Sequence, residues 1–208
     1  MNLLLKTSQA NLQGQIAVTG SKSETNRLLL LQALFPNISL ANTSNSDDSE
    51  VMQKALVGNE EIVDIHHAGT AMRFLTAYFA VNEGREVVMT GSSRMQERPI
   101  KILVDALAQL GVEISYLKDE GYPPIRIKGK KITASKVTLA ANVSSQYISA
   151  LLLVAPKLEN GLELTLEGEI TSIPYIKMTL ALLNDLEIQT SFEGNVIKVY
   201  PKLEVNVK

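Results

Sequence analysis

Three short polar clusters, each followed by an apolar run, carry residue types that could bind anions. The first is GSKSETNR at residues 20–27, the second is AGTAMR at 68–73, and the third is VSSQ at 143–146. Hydroxyls, glycines and basic side chains at a helix start combine free backbone N–H groups with the positive end of the helix dipole. The clusters therefore predict an anion-binding site, and GSSRMQERP at 91–99 adds two arginines to it.

Each cluster also has a plain structural interpretation. Ser21 and Glu24 have the spacing of a capping box, and Ser144 could serve only as a helix N-cap. The basic residues could be solvated surface charges or members of ordinary ion pairs; they are Lys22, Arg27, Arg73, Arg94 and Arg98. Recurrence of the clusters at equivalent places along the chain favours binding.

An internal repeat supplies the elements that would position the clusters. Residues 73–114 can be laid over residues 146–190, with Gly84 matching Gly161 and Gly91 matching Gly168. A weaker third copy begins at Arg27, with LLLLQALF as its first helix and VMQKALV as its second, but its closing strands are much abbreviated before His66. Shared glycines at turns favour duplication over a coincidence of apolar patterns.

Within each copy, periodicity predicts a helix, a strand, a second helix and a pair of strands. A further strand, QIAVTG at 15–20, would precede the first cluster. The predicted helices and strands of the two clear copies are, in chain order, helix 73–81, strand 86–90, a helix with Leu103, Leu107 and Leu110 ended by Gly111, strands 112–116 and 125–127, helix 146–154, strand 162–166, a helix with Leu180, Leu183 and Leu186, and strands 188–190 and 196–199. Helices 73–81 and 146–154 are apolar at nearly every position, which predicts burial on most sides. The fold class is therefore a layered α/β body of three similar units, in which buried helices direct their N-termini to one place.

Composition limits the classes of protein that the chain can represent. Its 208 residues are 45% hydrophobic and 20% charged, which is typical of a soluble globular protein. The net charge of −2 argues against nucleic acid as a partner, and the absence of cysteine excludes disulfides and thiolate metal sites. Apolar runs at 28–35 and 148–156 fall short of the ~20 residues needed to span a bilayer, and we see no secretory signal. We expect a cytoplasmic protein.

At the polar clusters the sequence resembles a known family, the 3-phosphoshikimate 1-carboxyvinyltransferases or EPSP synthases. The resemblance rests on five ordered motifs, GSKSETNR, AGTAMR, RMQERPI, VSSQYISALLL and SIPYIKMTL. It implies the N-terminal lobe of an inside-out α/β barrel, with three βαβαββ units, buried helices and outer sheets. It also implies that residues 1–19 form strands that contact a second lobe, and that residues 20–208 form the shikimate-phosphate-binding lobe.

The resemblance further implies a reaction and its residues. The 5-hydroxyl of shikimate 3-phosphate attacks C2 of phosphoenolpyruvate, and phosphate leaves the tetrahedral intermediate, without a metal or organic cofactor. Lys22 corresponds to the lysine that touches both substrates and is the candidate for proton transfer. The implied shikimate-phosphate ligands are Lys22, Ser23, Arg27, Ser144, Ser145, Gln146, Ser172 and Tyr175. The implied phosphoenolpyruvate ligands are Lys22, Gly69, Arg98 and Gln146.

The sequence departs from the family pattern in three places. His66 and His67 stand where Gly-Asn is usual, and Phe74 replaces a proline. As sequence neighbours, the two histidines are expected to be loop residues and not metal ligands. Gly69 is retained, and a small residue there leaves room for phosphoenolpyruvate or for the herbicide glyphosate. The acidic, lysine and arginine residues of the second lobe are missing after Pro201.

We therefore expect a monomeric lobe of a two-lobe enzyme, which binds shikimate 3-phosphate weakly and does not turn over alone. The enzyme alternative is a UDP-N-acetylglucosamine enolpyruvyl transferase, but that family has asparagine after its lysine and a loop cysteine, whereas Ser23 follows Lys22 here. An alternative from a different class is a non-catalytic anion-binding module.

Overall fold

The computed structural model describes residues 3, 4, 6 and 13–205, and these form two similar α/β units beside a pair of helices. The helix pair comes first, as α1 (Lys22–Leu34) and α2 (Asp47–Val57). The two units follow in chain order, each with one four-stranded sheet.

The first complete unit runs from β1 to β4. Its elements are β1 (Ile62–Asp64), α3 (Gly69–Val81), β2 (Glu86–Thr90), the short α4 (Ser93–Gln96), α5 (Lys101–Gln109), β3 (Glu113–Tyr116) and β4 (Ile125–Lys128). The strand order is β1-β2-β4-β3, in which β1 and β2 are parallel and the other pairs are antiparallel.

The second complete unit repeats this topology. Its elements are β5 (Lys136–Ala140), α6 (Ser145–Val154), a 3₁₀ turn (Ala155–Lys157), β6 (Leu162–Glu167), α7 (Ile173–Asp185), β7 (Thr190–Glu193) and β8 (Val196–Val199). The order β5-β6-β8-β7, with one parallel and two antiparallel pairs, matches the preceding sheet strand for strand. The predicted βαβαββ repeat is thus confirmed in two copies.

The helices α1, α3 and α6 pack against one another, and the sheets lie outside them. Eleven of the thirteen residues of α3 and nine of the ten residues of α6 are buried, which confirms that these helices lack a wet face. Alternate side chains of β2, β4, β6 and β8 point into the same core, as in Val87 and Met89 of β2. The predicted arrangement of buried helices and outer sheets is confirmed.

The strand predicted at residues 15–20, ahead of the helix pair, is absent. Residues 15–20 form no strand, and Ile16 and Val18 are 89% and 78% exposed. Their alternating pattern is that of a strand, but in the described part of the chain they find neither a strand partner nor an apolar surface to cover. The weaker third copy therefore consists of its two predicted helices, α1 and α2, without a sheet of its own in the described residues. Much of the 1–19 segment, namely residues 1, 2, 5 and 7–12, lies outside the described residues, and its contact with a second lobe stays a prediction.

Candidate functional site

The N-terminal turns of four helices open on one side of the lobe. Arg27 of α1 donates from Nε to Thr179 Oγ1 of α7 at 2.8 Å, and from Nη2 to Ser149 Oγ of α6 at 2.9 Å. Gln146 Nε2, in the first turn of α6, donates to Thr70 Oγ1 in the first turn of α3 at 3.2 Å. All five residues lie within the first two turns of their helices, so the N-terminal turns of α1, α6 and α7 lie together and that of α3 lies beside that of α6. Their free N–H groups, which attract anions, therefore face one surface.

Lys22 and Asp48 lie at this surface. Lys22 is the first residue of α1, its side chain is half exposed, and its Nζ is 3.8 Å from Asp48 Oδ2. The Asp48 side chain is only 15% exposed, and its Oδ1 accepts the backbone N–H of Thr70 at 3.3 Å. Asp48 on α2 thus joins the start of α1 to the start of α3.

Gly69 begins α3, and the guanidinium of Arg98 lies directly over it. A Cβ built on Gly69 would be 2.6 Å from Nη2 and 2.7 Å from Cζ of Arg98, closer than real Cβ contacts come. Partial burial lowers the pKa of Arg98, and the positive charge of Arg73 lowers it further, whereas Asp48 raises it. The structure therefore brings together two of the four residues, Gly69 and Arg98, that the family resemblance implies as phosphoenolpyruvate ligands.

The turn between β1 and α3 borders the Arg98 guanidinium. His67, Ser92, Arg94 and Met95 line an open depression together with Arg98. His67 Nε2 lies 3.4 Å from Asp47 Oδ2, and both side chains are mostly exposed. Within the described ranges, no group of three histidine, aspartate or glutamate side chains is arranged to hold a metal ion.

The serines of the clusters differ in what their hydroxyls do. Ser144 is the N-cap of α6, and its Oγ accepts the N–H of Gln146 at 3.3 Å, so Ser144 does cap the helix, while its contact with a ligand stays a prediction. Ser21 is the N-cap of α1 without a side-chain capping bond, and the capping box with Glu24 is therefore wrong. Ser172 is likewise the N-cap of α7 without a side-chain capping bond, and Ser145 is buried.

Arg27 lies beneath the surface and is almost fully buried, with 3% exposure. Besides Ser149 and Thr179 it donates from Nη1 to the Ser23 carbonyl at 2.6 Å, and its guanidinium stacks over the Phe74 ring. Burial lowers the pKa of Arg27 to about 10, while Tyr175 acts in the opposite direction. Arg27 is therefore not a solvated surface charge. In the structure its hydrogen bonds join α1 to α6 and α7, and its contact with shikimate phosphate stays a prediction.

Arg73 is a second buried guanidinium, with 4% exposure. It donates to the carbonyls of Gly69 at 3.1 Å and Pro99 at 2.9 Å, and it lies over the Tyr147 ring. The Tyr147 hydroxyl also donates to the Pro99 carbonyl, at 2.7 Å. Arg73 thus holds the turn that carries Arg98 against the start of α3.

The predicted residues occupy the starts of four helices and one neighbouring turn. In the described structure these positions are Lys22, Ser23 and Arg27 on α1, Gly69 on α3, Ser144, Ser145 and Gln146 at α6, Ser172 and Tyr175 at α7, and Arg98 between α4 and α5. The residues that sequence reasoning missed are Asp48, Thr70, Ser149 and Thr179. Hydroxyls inside the otherwise apolar runs of α6 and α7 were a usable signal for the last two. No comparable signal marked Asp48, since its partners are 26 and 22 residues away in sequence.

Fold and site together define an α/β lobe whose helix starts and cations can bind small anions. In the part of the chain that the structure describes, no helix has the length and apolar character needed to cross a membrane. The sequence model of a family described as EPSP synthase (3-phosphoshikimate 1-carboxyvinyltransferase) matches residues 37–207. The chain therefore belongs to the EPSP synthase family, whose members are carboxyvinyltransferases.

Individual relatives agree with this assignment. A 3-phosphoshikimate 1-carboxyvinyltransferase of Bacteroides fragilis is 49% identical over 192 residues, covering 92% of this chain and 47% of the relative. The protein of the same name from Haemophilus influenzae is 41% identical over 207 residues, covering 85% of this chain and 48% of the relative. The chain thus spans about half the length of the curated relatives it matches.

A solved structure of EPSP synthase from Acinetobacter baumannii superposes with a TM-score of 0.73 at 20% sequence identity. It covers 92% of this chain, which in turn covers 48% of that structure. This similarity confirms the predicted fold, a lobe of the inside-out α/β architecture. The names of the relatives do not favour the UDP-sugar alternative.

Proposed function

We propose that this chain supplies the N-terminal half-site of an enzyme that transfers the enolpyruvyl group of phosphoenolpyruvate to the 5-hydroxyl of shikimate 3-phosphate. One observation carries the proposal: Lys22 and Arg98 lie on the surface where four helix N-termini open. Both substrates are anionic, and this surface offers them cations, hydroxyls and free N–H groups. The match to about half of each relative supports a second lobe of the same enzyme as the partner of this surface.

The two substrates would bind to different parts of the surface. Shikimate 3-phosphate is assigned to the starts of α1, α6 and α7, where Ser23, Ser144, Ser145, Gln146, Ser172 and Tyr175 lie, with Arg27 beneath them. Phosphoenolpyruvate is assigned to the start of α3, between Gly69 and Arg98. Lys22 starts α1 and contacts Asp48, which holds the start of α3, and Gln146 starts α6 and contacts Thr70 of α3, so each would touch both substrates.

In the proposed reaction the 5-hydroxyl oxygen forms a bond to C2 of phosphoenolpyruvate, while a proton is added at C3. The hydroxyl proton is lost, and Lys22 is the candidate that moves it. The C2–O bond to phosphate then breaks as C3 loses a proton, which regenerates the double bond. Negative charge builds up on the departing phosphate as the C2–O bond breaks, while the carboxylate is anionic throughout, and Lys22 and Arg98 would stabilise these charges. Holding both substrates on one rigid surface supplies the required proximity.

A binding experiment tests the half-site. In a calorimetric titration, the chain should give saturable heat with shikimate 3-phosphate and none with UDP-N-acetylglucosamine. Saturation with the UDP-sugar only would select the alternative enzyme, and equal heats with any phosphate would select the non-catalytic anion-binding module.

A turnover experiment tests the need for the second lobe. Mixed with both substrates, the chain should release no phosphate above background, because the second lobe's acidic and basic residues would be required. Phosphate release at the rate of a two-lobe relative would contradict the half-site proposal.

We further propose that the enzyme is a cytoplasmic monomer and that glyphosate competes for the place of phosphoenolpyruvate. The absence of cysteine is compatible with a reducing compartment, and Gly69 beside Arg98 supports the glyphosate site. Sedimentation velocity tests the monomer, and glyphosate binding in the presence of shikimate 3-phosphate tests the site.

A further inference from the structure

A chain of polar contacts crosses the candidate site and joins four helices. It runs from Lys22 Nζ to Asp48 Oδ2 at 3.8 Å, and from Asp48 Oδ1 to the Thr70 N–H at 3.3 Å. It continues from Thr70 Oγ1 to Gln146 Nε2 at 3.2 Å. Its two ends, Lys22 and Gln146, are the residues that the proposed function places in contact with both substrates.

Asp48 is the one carboxylate in this series of polar contacts, and it faces positive groups on three sides. Lys22 lies on α1, the Thr70 N–H belongs to the positive end of α3, and Arg98 lies close enough for the Asp48 charge to affect its ionisation. At 15% side-chain exposure, Asp48 is screened from water far more than an ordinary surface carboxylate. A carboxylate here is unexpected in a site for anions, because it repels the ligands that the site attracts. Its presence therefore calls for a compensating role.

We propose that Asp48 is a positioning residue, which fixes the Lys22 ammonium and the first turn of α3 so that Lys22 and Gln146 are correctly spaced for the substrates. The proposal rests on the proposed function. Lys22 is a long side chain that loses rotamer freedom when it binds a ligand, and a fixed anion beside it removes part of that cost in advance. The second oxygen of Asp48 holds the backbone from which Thr70 reaches Gln146.

The neighbouring residue Asp47 provides a matched control. It lies in the same first turn of α2 and carries the same charge, but its side chain is 77% exposed and its contact is with His67. Asp47→Asn therefore changes the net charge and the α2 dipole interaction as Asp48→Asn does, without touching the contact chain.

The first measurement uses nuclear magnetic resonance of the ¹⁵N-labelled full chain without ligand. Asp48→Ala should move the Thr70 amide and the Gln146 side-chain amide resonances and lower the exchange protection of the Thr70 amide about tenfold. Asp48→Asn, which keeps an acceptor oxygen, should move them less, and Asp47→Asn should leave them in place. Unchanged Thr70 and Gln146 resonances in Asp48→Ala would overturn the proposal. If Asp48→Ala does not fold, Asp48→Asn carries the same test, and its Gln146 resonance must differ from that of Asp47→Asn.

The second measurement compares two ligands in titrations of the same variants. Asp48→Asn should weaken shikimate 3-phosphate about tenfold, because a ligand with several contacts needs the correct spacing. It should not weaken inorganic phosphate, because a small ion makes few contacts and the site has become more positive. If Asp48→Asn bound both ligands more tightly, the proposal would be overturned, because Asp48 would then act only as a negative charge that repels anions. Binding of neither ligand by the unaltered chain would contradict the proposed function, while the ligand-free resonances would still decide the role of Asp48.

Discussion

The guanidinium of Arg98 occupies the space that a side chain on residue 69 would need, which makes Gly69 and Arg98 a fitted pair. The Cβ of an alanine at position 69 would be 2.7 Å from Arg98 Cζ, so the flexible arginine must move aside. The fit also explains why a glycine begins an otherwise ordinary helix.

Gly69→Ala should therefore displace Arg98 and weaken phosphoenolpyruvate binding about tenfold, since a charge-assisted hydrogen bond to the ligand is lost. Calorimetry with phosphoenolpyruvate measures the affinity, and thermal unfolding should change little because a long side chain yields easily. Gly14→Ala is the control, since a Cβ there meets nothing within 4 Å. Equal affinities for the two variants would contradict the fitted pair.

The two hydroxyl groups that accept hydrogen bonds from Arg27 are predicted to contribute to the free energy of unfolding. Ser149→Ala or Thr179→Val leaves an N–H of the buried guanidinium without its acceptor, which costs about 1–3 kcal/mol of the free energy of unfolding. Urea denaturation measures the loss. Ser93→Ala, at an exposed position on α4, should cost much less. A loss no larger than that of Ser93→Ala would show that Arg27 needs neither hydroxyl.

The ion pairs of Glu163 should make the stability depend on pH in the acid range. Glu163 of β6 lies between Lys198 at 2.9 Å and Lys136 at 3.3 Å on the neighbouring strands, and these lysines lower its pKa. A carboxyl with a lowered folded-state pKa stabilises above its unfolded pKa, and this contribution disappears as the pH falls through the folded value.

Urea denaturation of the unaltered chain and of Glu163→Gln should therefore differ at neutral pH and converge in acid. Glu113→Gln, on β3, serves as the exposed control, since the described residues give Glu113 no ion pair. A difference that is the same at neutral and acid pH would assign the effect to packing and not to charge.

Equivalent turns of the two units offer a stability test based on the backbone. After α5 the chain turns at Gly111 with φ +83°, and after α7 it turns at Glu187 with φ +56°. The left-handed conformation costs a residue with a Cβ roughly 1–2 kcal/mol. Glu187→Gly should therefore raise the free energy of unfolding by up to about 1 kcal/mol, once the added freedom of the unfolded chain is subtracted.

The reciprocal change, Gly111→Ala, should lower the free energy of unfolding by a similar amount, because its Cβ would have only an ordinary contact with Lys130. Chemical denaturation measures the free energy of unfolding of both variants. Changes of the same sign would show that the turns are not equivalent.

The helices and strands that were predicted well are those in which the apolar residues of the sequence pattern are the ones buried in the structure. Residues 86–90 became β2 as predicted, because alternating apolar side chains there face the core and the strand has partners on both sides. Helix α3 begins at Gly69, four residues before the predicted start, because Gly69 and Thr70 are buried although they lack an apolar signature. The local pattern did not predict β1 and β5, which were implied only by the βαβαββ units of the family resemblance, and β1 has only three residues.

The predictions failed where local pattern and tertiary partners disagree. Residues 15–20 alternate like a strand, yet a strand forms only against another strand. The starts of the helices were predictable because capping and dipole chemistry are local. The site residues at the helix N-termini were therefore found from the sequence. The hydrogen-bond network beneath these helix starts was not predicted, because it joins Arg27 to Ser149 and Thr179 across 122 and 152 residues of sequence.

The two buried guanidiniums have an electrostatic consequence for the whole lobe. The partners of Arg27 and Arg73 in the described structure are neutral hydroxyls, carbonyls and aromatic rings, so their charges are not cancelled locally. They lie in a weakly polarisable interior, just below the opening of four helix dipoles, and their field emerges there. We therefore expect a chain with a net charge of −2 to have a positive region at this surface, and we expect its long-range attraction for multiply charged anions to fall as ionic strength rises.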